Sequence, residues 1–174
     1  MSKLVQSKIK TFASTFVIIL SLDQWTKHLI HSKFVWGQST SLIPNIFSLT
    51  YVRNQGAAFG FLHHAPTWFR EPFFLIMPLI VMIFILFLFV RVDTDHIYWK
   101  LWNFGYSLIL TGAVGNLIDR SRLGYVIDFL DFHWKEIYHY PAFNVADSAI
   151  VVGVGLLLML TFLDEKRRKS QPKA

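Results

Sequence analysis

The chain has 174 residues, of which 53% are apolar and only 16% charged, against roughly 25% charged in a soluble domain, so lipid rather than water is its main solvent. The net charge of +6 comes from cations gathered at the two termini beside apolar runs, which suits anionic membrane lipid and gives no reason to expect nucleic acid. With no cysteine, disulfides, thiol catalysis and cysteine-ligated metals are excluded.

Four segments are apolar enough to cross a bilayer, which takes about 20 residues each. The first spans Phe12 to Ile30 and carries Asp23 and Lys27 in its second half. Lys3, Lys8 and Lys10 ahead of Phe12–Leu22 resemble the start of a secretory signal peptide. After Leu22 the chain reads Asp23-Gln24-Trp25-Thr26-Lys27 rather than a small-x-small cleavage site, so a retained span is expected. Asp23 and Lys27 are four apart and share a helix face, as an internal ion pair would.

The connection after this span is no random loop. Ile46–Val52 is rich in strand-forming residues and Asn54-Gln55-Gly56 reads as a turn, predicting a small sheet. Pro66-Thr67-Trp68-Phe69-Arg70 predicts a short interfacial helix, since Trp and Arg suit the headgroup level. The second span covers Phe73 to Val90 and the third Ile97 to Ile118. Gly112, Gly115 and Asn116 mark the end of the third. The glycines suit close helix packing, and the Asn116 amide needs partners away from water. Arg120 is open to three roles: pairing with Asp119, snorkelling to headgroups, or holding a substrate group.

Asp128 lies in Gly124-Tyr125-Val126-Ile127-Asp128-Phe129, alone no more than a polar loop residue. The fourth span covers Ala146 to Leu163, with Asn144 as a candidate cap and Asp147 in the first turn, where the helix dipole favours it. Lysines at the N-terminus and Lys166, Arg167, Arg168, Lys169 and Lys173 at the C-terminus put both ends on the cytoplasmic side of a four-span chain. The connections 31–72 and 119–145, and with them Asp128 and Asp147, then face outward. The expected fold class is an all-α integral membrane protein with four transmembrane helices, N-in and C-in, plus a small periplasmic β-sheet and the short interfacial helix. It is one domain over 1–174, with 31–72 as the sheet and loop insertion and 165–174 as a basic cytoplasmic tail, disordered at its end.

Two carboxylates at one membrane face can share a proton and activate water. No metal-binding spacing of the His63, His64, His133 or His139 type is seen, and no Gly-x-Ser-x-Gly elbow surrounds Ser148. An ion path is disfavoured because the polar residues sit at one end, with no inverted repeat. A scaffold subunit leaves the outward carboxylates unexplained.

In chain order, Asp23-Gln24-Trp25-Thr26-Lys27, Asn54-Gln55-Gly56-Ala57-Ala58-Phe59-Gly60, Gly112-Ala113-Val114-Gly115-Asn116-Leu117-Ile118-Asp119-Arg120, Gly124–Phe129 and Phe143-Asn144-Val145-Ala146-Asp147-Ser148 resemble the lipoprotein (type II) signal peptidase family. The resemblance implies an aspartic endopeptidase of the bacterial inner membrane. Its substrates would be prolipoproteins carrying a diacylglyceryl group, cut just before the lipidated cysteine. By carry-over, Asp128 and Asp147 are the catalytic dyad. Asn54, Gly56, Asn116, Arg120 and Asn144 line or support the site, and Asp23 and Lys27 support it from the first span. No metal or cofactor is implied; a monomer, and sensitivity to the family's cyclic-peptide inhibitors, are.

Overall fold

Each of the four apolar runs forms a helix; three helices outrun their runs at both ends, and the third begins at Trp99, two residues inside its run, and extends past its end. The computed structural model describes residues 3–56, 66–135 and 137–170. Residues 57–60 of the second motif, His63, His64 and the tail residues 171–174 lie outside them. In chain order the elements are α1 (Lys3–Lys33), β1 (Ser39–Ile43), β2 (Phe47–Asn54), α2 (Thr67–Arg91), α3 (Trp99–Leu123), β3 (Val126–Trp134), β4 (Tyr138–His139) and α4 (Val145–Ser170).

Three of these helices, α1, α2 and α4, are long and apolar enough to cross a membrane. Their outer faces carry bare apolar side chains, among them Val17, Ile83 and Val151, each more than 60% exposed. Helix α3 is different. It packs against all three others, and its buried side includes Asn103, Ser107, Thr111, Asn116 and Asp119. A helix shielded by its neighbours has no need of an apolar surface all round, and can carry polar groups that lipid would not accept. Ser107 and Thr111 satisfy their hydroxyls on the carbonyls one turn back, at 2.7 Å each.

Glycines decide how closely α3 meets α4. A side chain at Gly112 would run into the Ala146 carbonyl, and one at Gly153 would lie 2.8 Å from the Gly105 carbonyl oxygen. Small residues of this kind let helix backbones approach where no hydrophobic effect drives association. Gly124 ends α3 in the left-handed conformation at φ 78°, its N–H bonded to the Arg120 carbonyl.

The strands form an antiparallel sheet in the order β1-β2-β3-β4. Strand β2 covers the predicted Ile46–Val52 run from Phe47 onward, and Asn54 stands at its end rather than in the turn proper. The predicted interfacial helix is not separate. The helix starts at Thr67 and runs on through Pro72 without a break, so these residues are the first turns of α2. The insertion is likewise shorter than 31–72, because α1 continues to Lys33 and α2 begins at Thr67. Residues 165–170 of the basic tail continue α4, aided by a 2.6 Å Glu165–Lys169 pair one turn apart. Strand β3 is the largest difference from the sequence reading: Asp128 sits on a strand, not in a loop.

Candidate active site

Asp147 is held where α4 begins. The Asn144 side chain accepts the Asp147 N–H at 2.9 Å, and Asp147 Oδ2 accepts the Asn144 N–H at 3.1 Å. This reciprocal pair is a capping box: it satisfies two donors that a helix start leaves without partners. The other Asp147 oxygen accepts from Asn116 Nδ2 at 2.7 Å.

Asp128 comes from the sheet. Asn54 lies across from Val126 in the β2–β3 register, two positions from Asp128, and its Nδ2 donates to Asp128 Oδ2 at 2.9 Å. The Gly56 N–H donates to Asn54 Oδ1 at 3.0 Å, which fixes the way that amide faces. On its other oxygen Asp128 accepts from Asn144 Nδ2 at 2.7 Å. Asn144, fully buried, therefore touches both aspartates: its amide nitrogen bonds the Asp128 side chain, and its oxygen and backbone bond Asp147. The same nitrogen lies 3.1 Å from Asn116 Oδ1 and 3.3 Å from the Ile127 carbonyl oxygen.

Beneath these amides is a buried ion cluster. Lys27 Nζ lies 2.9 Å from Asp23, 3.0 Å from Asp119 and 3.0 Å from Asn116 Oδ1. Lys27 is 2% exposed, and a buried ammonium is tolerable only with such partners. The expected Asp23–Lys27 pair is present. The pairing of Asp119 with Arg120 is not: Asp119 turns inward to Lys27 and to the Ile127 N–H at 3.2 Å. Arg120 faces the other way, donating to the Gly56 carbonyl at 3.1 Å with its guanidinium 5.4 Å from the Phe74 ring centre. Its Nε is buried and has no partner among the described residues. Asp119 is the member of this cluster that the sequence reading left out of the site. The signal available was its spacing, three residues from Asn116 on the same helix face.

Asp128 and Asp147 open onto a groove of about 1320 Å³. Asn54, Asn116, Arg120, Asp128 and Asp147 give it polar lining, while Ile150, Val151 and Val152 of α4, with Phe143 just before it, give it an apolar wall. Burial pushes the Asp128 carboxyl up to about 7, and the Asp147 charge pushes in the same direction against the two amide hydrogen bonds. Near neutral pH the groove thus contains a carboxyl able to donate a proton. Among the described residues no three acidic or imidazole side chains gather as metal ligands do.

The family model described as signal peptidase (SPase) II matches residues 15–163. A lipoprotein signal peptidase of Syntrophotalea carbinolica is 45% identical over 168 residues, 97% of this chain and 99% of that one. One from Geobacter metallireducens is 46% identical over 159 residues, 91% of this chain and 94% of that one. A bacterial membrane enzyme structure, determined by the in meso method at 2.3 Å resolution, superposes with a TM-score of 0.80 at 30% identity, covering 95% of this chain and 96% of that one. The family match spans both aspartates and the helices and sheet that hold them, and on it this chain belongs to the signal peptidase II family of membrane peptidases.

Proposed function

We propose that this protein removes signal peptides from prolipoproteins carrying a diacylglyceryl group, cutting just before the lipidated cysteine, with Asp128 and Asp147 as the catalytic dyad. The observation that carries the assignment is the shared Asn144: it touches two aspartates from different elements that line one groove. Family membership supplies the reaction class.

The division of labour follows from the burial of Asp128. Both Asp147 oxygens accept N–H groups, as both Asp128 oxygens do. Asp128, raised to about 7, holds the shared proton and can still accept through its hydroxyl oxygen. Asp147 takes a proton from water as the oxygen attacks the scissile carbonyl, and Asp128 gives its proton to the carbonyl oxygen. The tetrahedral intermediate collapses as Asp147 passes its proton to the departing nitrogen and Asp128 recovers its own. The C–N bond breaks, leaving a new carboxyl on the signal peptide and a free amine on the cysteine.

Asn54, Gly56, Asn116 and Asn144 hold the dyad, and Arg120 lies open to the substrate backbone. The apolar α4 wall suits a signal helix and acyl chains that stay in lipid while the scissile bond meets water. The chain crosses the bacterial inner membrane four times with both termini in the cytoplasm, so that the groove opens at the periplasmic face. It acts as a monomer, in contact with membrane lipid, and is blocked by the family's cyclic-peptide inhibitors.

The test is cleavage of a lipidated precursor by purified protein. Asp128→Asn and Asp147→Asn are each expected to lower the rate by about a thousandfold or more while remaining folded. Wild-type turnover in either variant removes the dyad assignment.

A further inference from the structure

Ile127 and Ala146 have one property in common. Each immediately precedes a dyad aspartate, and each gives its backbone N–H to a buried carboxylate. The Ile127 N–H bonds Asp119 Oδ2 at 3.2 Å, and the Ala146 N–H bonds Asp23 Oδ1 at 2.9 Å. Asp119 and Asp23 are 3% and 1% exposed, and neither lines the groove. Lys27 bridges them at 3.0 and 2.9 Å. Gln24 bridges them a second time, donating to each at 3.1 Å.

Neutralising Lys27 does not explain this. One carboxylate is enough to pair one ammonium, so the second is not needed to hold Lys27. What Asp119 adds is a strong acceptor for a peptide N–H that belongs to neither α1 nor α3. Because a carboxylate oxygen is a stronger acceptor than a neutral one, the two N–H groups serve as tie points for β3 and α4. The tie points in turn are held at a fixed spacing by Lys27 and Gln24.

We propose that Asp119 and Asp23 form a second carboxylate pair that sets the geometry of the first, Asp119 positioning Asp128 through Ile127 and Asp23 positioning Asp147 through Ala146. The proposal rests on the dyad reading and adds Asp119 as a positioning residue. Neither Asp119 nor Asp23 touches substrate; their effect is on where the reacting oxygens stand, and a displacement of about 1 Å costs up to about a hundredfold in rate.

The experiment compares Asp119→Ala and Asp119→Asn with wild type and Asp128→Asn, measuring kcat and KM separately on a lipidated precursor. Asp119→Ala is expected to lose about 10- to 100-fold in kcat with KM within about twofold, since the groove lining is untouched. Asp119→Asn, which keeps an oxygen for the Ile127 N–H, is expected to recover most of that loss. A wild-type kcat in Asp119→Ala, a change confined to KM, or an Asn variant as impaired as the Ala variant would each overturn the proposal. Failure of both variants to fold would assign Asp119 to bundle stability and overturn it equally. Wild-type cleavage by Asp128→Asn would remove the dyad and the proposal together. An inactive Asp128→Asn beside an unimpaired Asp119→Ala removes the positioning role alone.

Discussion

Asp128 is 1% exposed, and the same burial that raises its carboxyl gives it a signature in stability. A carboxyl whose pKa is higher in the folded chain than unfolded contributes stability fully below its ordinary 3.8. That contribution is lost as pH rises and is gone past about 7. Asp128→Asn cannot ionise and escapes the loss. Thermal melts in detergent are expected to show the variant gaining on wild type as pH rises from 5 to 8; a wild type that gains on the variant as pH rises contradicts the assignment. The cleavage rate of wild type should fall over the same range above pH 7, as the shared proton leaves. The residue types of the site were legible in the sequence, because acids and amides at the ends of apolar runs have few reasons to be there. Their partners were not. Asp119 and Arg120 are adjacent, yet one turns to Lys27 and the other to Gly56, a choice made by what α1 and the sheet place beside them.

At the level of elements, the helices were readable because lipid-facing runs are long and nearly continuous. The capping role of Asn144 was readable too, since it precedes the last run with an acid three residues on. Strand β3 was hidden: its residues Val126 to Phe129 are buried on both faces, so the period-two alternation that marks a half-buried strand is missing. The boundary of α2 was misplaced because an interfacial Trp and Arg look the same whether they begin a long helix or form a short one. The contact between α3 and α4 yields a test. Gly112→Ala forces a methyl group against the Ala146 carbonyl, a backbone atom that cannot rotate away. Overpacking of this kind costs about 1–3 kcal/mol. The variant is expected to melt at lower temperature and to cleave more slowly, because the displaced residue is next to Asp147. Unchanged melting and turnover would show that α4 can shift without disturbing the site.

For the molecule as a whole, orientation is the expectation still to be measured. The chain has no cysteine, so single cysteines can report sidedness without background. Thr40→Cys, on the exposed edge strand, is expected to react with an impermeant thiol reagent added outside cells whose outer membrane has been opened. Ser170→Cys, at the end of α4, is expected to react only after lysis. The reverse pattern would invert the proposed topology. Helix α3 bears on how the molecule is made as well as on how it works. Asn103, Ser107 and Thr111 along its length and Asp119 near its end are sheltered by α1, α2 and α4 in the finished fold. During synthesis α4 does not yet exist, and the same side chains would meet hydrocarbon. On the proposed four-span topology, the segment that brings Asn116 to Asp147 is therefore the one least able to enter a bilayer unaided, and its insertion would depend on helices already waiting there.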